Sequence, residues 1–154
     1  MVRIGWTLVM GMASPTAQAA DWTPTAEESA LILALSSRDA PAACEVLEAT
    51  VPTPVTSLRA IVTHVTMPPW AGMRAADCLI KRHGAEVAAD LDRWVTQPEL
   101  KGLGTLVLSQ IDVLPADVAL AVAQRAVSAG PDPVDARRRL GQSTRAEIRA
   151  LATP

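Results

Sequence analysis

Four times along this chain a proline opens a stretch in which a small residue is followed, four positions later, by leucine. The pairs are Ala43/Leu47, Ala75/Leu79, Gly104/Leu108 and Ala136/Leu140, at steps of 32, 29 and 32 residues. The opening prolines are Pro41, Pro69, Pro98 and Pro133. Positions i and i+4 share one face of a helix, so each pair sets a leucine beside a gap that a neighbouring helix can enter. A step of this length fits a unit of two short helices joined by tight turns. The intervening segments, starting near Pro54, Ala85 and Pro115, supply the second helix of each unit. The pattern predicts that each small/Leu helix packs closely on the helix that follows it.

Local signals place the helices. Thr25 and Glu28 form a capping-box pattern behind Pro24, and Leu31, Leu33 and Leu35 follow. Asp39 and Pro41 mark a start for a helix through Ala49, and Pro52 closes it. Leu58, Ile61, Val62 and Val65 recur at helical spacing after Pro54. A long helix from Pro69 ends in Lys81-Arg82-His83, with Gly84 as its stop. Further helices run over 85–96, 98–111, from Pro115 to Gly130, from Pro133 to Gly141, and from a Ser143/Thr144 cap to Ala152. No convincing alternating strand interrupts them. The expectation is an all-α chain of about eight or nine short helices.

Hydrophobic residues make up 49% of the 154, enough for one domain with a core. Phe and Tyr are absent and the aromatics are Trp6, Trp22, Trp70 and Trp94, so Leu, Val, Ile and Ala must build that core. A net charge of -2 and the missing stacking rings argue against a general nucleic-acid binder.

The words Met73-Arg74-Ala75-Ala76-Asp77-Cys78-Leu79, a Gly turn, then Ala85-Glu86-Val87-Ala88-Ala89-Asp90-Leu91, resemble HEAT repeats. The resemblance covers roughly residues 40–140, in units shorter than the ~40 residues usual for that family. It departs from the family at Gly102 and Gly104. It implies a right-handed α-solenoid of antiparallel helix pairs that serves as a protein-interaction scaffold. The plainer possibility is a non-repeating helical bundle.

Residues 1–20 read as a secretory signal peptide: Arg3, an uncharged apolar run from Ile4 to Ala13, and Ala17-Gln18-Ala19 at the cleavage site. The repeat domain then occupies 21–154. The expected location is periplasmic or extracellular, without stable membrane insertion after cleavage, since the run is short for a span. An even cysteine count in an exported chain points to a disulfide between Cys44 and Cys78. In the repeat frame these two lie on opposite sides of equivalent helices, the sides that face each other in a stack. Two buried free thiols are the alternative.

His64 and His83 lie on different helices with no partner at ligand spacing, so neither a metal nor a cofactor is expected. Glu86, Asp90 and Asp92 belong to a solvated helix face opposite Leu91 and Trp94, and Trp94 to the core. No hydrolase, nucleotide-binding or zinc-protease motif occurs. Two features point to a partner surface: the run Arg137-Arg138-Arg139, suited to an acidic contact, and Trp70, either a packing staple or an exposed anchor. The leading expectation is an exported, non-catalytic scaffold that binds another protein. The runner-up is an exported helical-bundle enzyme or small-ligand carrier with a pocket between helices. A third is an assembly subunit that self-associates through its terminal helices. The oxidised protein should show no free thiol when denatured and titrated with a thiol reagent; two reactive thiols would refute the cross-link.

Overall fold

In the computed structural model residues 22–153 are described, and the expected leader lies outside them. Nine α-helices occupy the described residues, and no strand. They are α1 (Ala26–Ser36), α2 (Cys44–Glu48), α3 (Pro54–His64), α4 (Pro69–His83), α5 (Ala88–Thr96), α6 (Lys101–Ser109), α7 (Ala116–Ala129), α8 (Pro133–Leu140) and α9 (Ala146–Arg149). The all-α expectation therefore holds.

Proline sets three of the starts. Pro54, Pro69 and Pro133 occupy the first helical position, where a missing N–H costs nothing and φ is already helical. The Thr25/Glu28 capping box is formed in both directions. Two expected caps are not formed. Asp39 and Pro41 lie outside α2, which begins at Cys44 behind an Ala43 that offers no side-chain cap. Ser143 and Thr144 precede α9, but their side chains turn to Asp112 instead. Gly84 differs in its reason. Its backbone is right-handed helical, and no glycine among the described residues has positive φ. A Cβ at Gly84 would lie 2.6 Å from Leu114 Cδ2, so a larger residue there would displace the Leu114 side chain.

The helix pairing differs from the expected one. The most extensive helix contacts are α3 with α4, α5 with α6, α5 with α7, and α7 with α8. Thus α4, α6 and α8 each pack on the helix before them, which corrects the expected pairing, whereas α2 does not pack in this way on α1. Gly104 shows why. A Cβ there would lie 2.6 Å from the Trp94 carbonyl oxygen, so α6 rests directly on the α5 backbone. Beyond the pairs, α4 packs on α6 and α6 on α8, while α5 packs on α7 and α7 on α9. These contacts set α4, α6 and α8 in one row and α5, α7 and α9 in another.

One hydrophobic cluster runs through the rows, including Leu31, Leu58, Leu79, Leu91, Leu140 and Ile148. Trp94 lies in it, with Val87, Leu91 and Val95. The leucines of all four small/Leu pairs are buried, as are Ala75, Gly104 and Ala136. Ala43 is exposed, so the first pair departs from the other three.

Polar contacts keep a short reach. Among the described residues, every side-chain hydrogen bond that spans more than six positions spans between 27 and 39. That is about one small/Leu step.

Two glycines on α6 give a direct check on the close approach. Gly102 is exposed and a Cβ there meets nothing within 4 Å. Gly102→Ala should therefore stabilise the protein by about 0.5–1 kcal/mol in thermal or denaturant unfolding. Gly104→Ala should destabilise it by roughly 1–3 kcal/mol, because the Trp94 backbone cannot yield. Equal effects at the two sites would contradict the account.

Candidate functional site

The polar residues with most partners gather along the row formed by α2, α4, α6 and α8. At its first step Cys44 and Cys78 are joined, with Cα atoms 5.5 Å apart. The bond ties the five-residue α2, too short to hold itself, to the long α4. Beside it Arg82 donates through Nε to Glu48 Oε2 at 2.8 Å and also bonds Glu45. Glu48 is only 6% exposed, and His83 Nε2 lies 3.1 Å from its other oxygen. The Arg82 pKa is raised, chiefly by its hydrogen bond to Glu48 against the opposing effect of burial. A groove of about 310 Å³ opens here between α2 and α4, edged by Arg74, Asp77, Lys81 and Arg82.

The next steps repeat the device with other residues. Gln110, which caps the end of α6, donates to Asp77 of α4. Asp112, just past α6, accepts from the Ser143 hydroxyl and from the backbone N–H and hydroxyl of Thr144. Arg145 holds the Asp112 and Leu114 carbonyls. Burial alone would raise the Asp112 pKa. The Ser143 and Thr144 bonds and the Arg145 charge outweigh it and bring the pKa below its ordinary value. A second groove, of about 300 Å³, lies between α6 and α8, lined by Ser109, Asp112, Arg138, Arg139 and Gln142 among others.

The arginine run sits at this groove. Arg138 bonds Asp135, and Arg139 donates to the same carboxylate at 2.7 Å. These two bonds, first Arg139's, lower the Asp135 pKa. Arg138 is exposed, whereas Arg137 is half-buried, with an Nε that finds no partner. Trp70 is placed elsewhere, at the start of α4. It is 39% exposed, and its indole N–H donates to the Ser36 carbonyl at 3.1 Å. Arg74, one turn on, donates to the Leu35 and Ser37 carbonyls. Trp70 thus fastens α1 to α4 while leaving part of its ring outside. It shares no groove with the arginine run, and α6 packs between α4 and α8.

On the other row the expected solvated acids have specific partners. Asp90 of α5 accepts from Arg59 of α3 at 2.7 Å, and Asp92 accepts from Arg125 of α7 at 2.7 Å. One acidic helix is thereby tied to the helix on each side. His64 stacks on Trp22 at 5.2 Å between ring centroids. Among the described residues no group of three or more His, Cys, Asp or Glu side chains could hold a metal ion, and no helix is long and apolar enough to cross a membrane.

Sequence reasoning did not single out Asp112 or Glu48. The signal was the repeat step itself: Asp112 lies 31 to 33 residues before Ser143, Thr144 and Arg145. No family model matches the chain, and no curated protein or solved structure matches it at the threshold applied.

Because its folded pKa is lowered, ionised Asp112 stabilises the fold above the unfolded carboxylate value of about 4. That contribution is lost as pH falls from there through the folded value. Asp112→Asn should melt lower than the natural chain at pH 7, and the gap should close below about pH 4. A gap that is constant over this range would show that Asp112 is not the group concerned.

Proposed function

We propose that this chain is an exported, non-catalytic scaffold: a right-handed α-solenoid of the short HEAT-like kind that binds another protein. The observation that carries the reading is the reach of its contacts. Bonds that always span about one repeat step belong to a chain whose units touch only their neighbours. Such arrays present a long side-chain surface with little commitment to any one pocket, which suits partner binding. The burial of Ala75, Gly104 and Ala136 as a series supports the same reading.

The binding surface we assign is the row of α2, α4, α6 and α8. Its two grooves carry basic side chains at their edges, Lys81 and Arg82 at one and Arg138 and Arg139 at the other. The partner this fits is a protein with acidic side chains spaced to reach both. Trp70 offers an apolar contact at the α1 end of the same row. Export rests on the leader pattern in residues 1–20 and on the disulfide, which persists in oxidising compartments.

The test is capture from the exported fraction with the natural protein and with a Lys81→Glu/Arg138→Glu variant. Both positions are exposed, so reversing their surface ion pairs with Asp77 and Asp135 should cost only about 1–2 kcal/mol and leave the variant folded, with its melting temperature measured alongside. A protein retained by the natural chain at low salt and lost from the variant supports the reading. Retention of no protein, or of the same proteins by both, would sink it.

A further inference from the structure

Residues 40–52 lie against α4 with few ties to it. Only Leu47, Glu48 and Val51 are buried among them. Helix α2 takes part in none of the extensive helix contacts. The backbone N–H groups of Val46, Leu47, Ala49, Thr50 and Val51 all donate to carbonyls between Ala43 and Glu48, so none of these bonds reaches another helix. The ties that cross to α4 are the Cys44–Cys78 bond and the contacts of Arg82 and His83 with Glu45 and Glu48.

One of the three buried residues opposes the docking. Glu48 Oε1 has no hydrogen-bond partner among the described residues, and neither has His83 Nε2, 3.1 Å away. A buried carboxylate oxygen left in this way gains by reaching water. Leu47 and Val51 favour the docked position, and the Glu48 charge offsets part of that gain. The flanks are fixed without the disulfide. Arg74 donates to the Leu35 and Ser37 carbonyls and Trp70 to the Ser36 carbonyl, which keeps α1 on α4. On the other side the Ser57 N–H donates to the Thr53 carbonyl at the start of α3, and α3 packs extensively on α4.

The bond is open to attack from one side. Cys78 is 3% exposed, but Cys44 is half-buried, and both line the groove between α2 and α4. We propose that Cys44–Cys78 is a redox latch on this one segment: when a dithiol reduces it, residues 40–52 leave α4 and lose their order, while α1 and α3 to α9 stay packed. One thiolate of the dithiol attacks Cys44 Sγ, the sulfur–sulfur bond breaks, and Cys78 leaves as a thiolate that takes up a proton. The second thiol of the reagent then displaces Cys44 as a thiol. The reagent ends as its own disulfide, and the protein has gained two electrons and two protons. Reduction also returns chain freedom to a loop whose ends are 34 residues apart in sequence. The wall that α2 gives the groove then follows the thiol–disulfide poise of its surroundings, whether or not the groove binds a partner.

Hydrogen exchange read by mass spectrometry, on the natural protein with and without dithiothreitol, tests this. Dithiothreitol should open the bond in the folded protein, with both thiols then titrating. The amides of 44–51 should exchange at least about tenfold faster, while peptides from α5 to α9 keep their rates. A Cys44→Ser/Cys78→Ser variant should show the same pattern without reductant, and reoxidation of the natural chain should restore protection. A bond that resists dithiothreitol until the protein is denatured, rates at 44–51 that do not change on reduction or in the double variant, or protection lost throughout the chain would overturn the proposal.

Discussion

At Gly104 the backbone of one helix lies against a carbonyl of the next, nearer than any side chain would permit. Gly130 makes a second approach of this kind, where a Cβ would lie 3.0 Å from the Val95 carbonyl oxygen. A core without Phe or Tyr has few large side chains with which to fill wide gaps. It must bring helices close and plug the remaining space with leucine. Ala75, Gly104 and Ala136 do the first, and Leu79, Leu108 and Leu140 the second. Gly104 and Ala136 also share the walls of one small cleft with Trp94, Val95, Ala126 and Gly130, where α5, α6, α7 and α8 meet.

Polar side chains then hold each step to the next. Glu48 with Arg82, Asp77 with Gln110, and Asp112 with Ser143 and Thr144 follow one another along one row. Arg59 with Asp90, and Asp92 with Arg125, do the same on the other. The pairs differ in chemistry but not in reach. The weakest step is the first, where α2 has five residues and Ala43 lies outside the core. That is also the step that carries the disulfide. A covalent tie there offsets what packing does not supply.

Much of the helix layout was legible because proline and glycine punctuate it. Pro54, Pro69 and Pro133 begin helices where the sequence places them. The repeated small/Leu pairs also located three of the buried seams. Their partner helices were not legible, since a small residue reveals a close approach but not from which side it comes. The short α2 was misjudged because Asp39 and Pro41 look like a helix start, while no helix forms before Cys44. Ser143 and Thr144 looked like caps because a hydroxyl before a helix usually is one. Here a carboxylate one step earlier in the chain, Asp112, binds them instead. Glu48 and Asp112 were hidden for the same reason. Their partners are distant in sequence and become neighbours only once the step length is used to pair them. Trp70 and the arginine run were each visible as features, but their separation on the surface was not.

The claim on which this account stands is that each unit touches only the units beside it. Methyl-to-methyl NOE spectroscopy on the isotope-labelled protein reads this directly. The account predicts cross-peaks from Leu79 into α6 and from Leu108 into α8, and none between Leu31 or Leu35 and Leu140 or Ile148. Strong cross-peaks between those first and last leucines and isoleucine would mean that the chain closes into a single bundle, and the neighbour-only arrangement would be wrong.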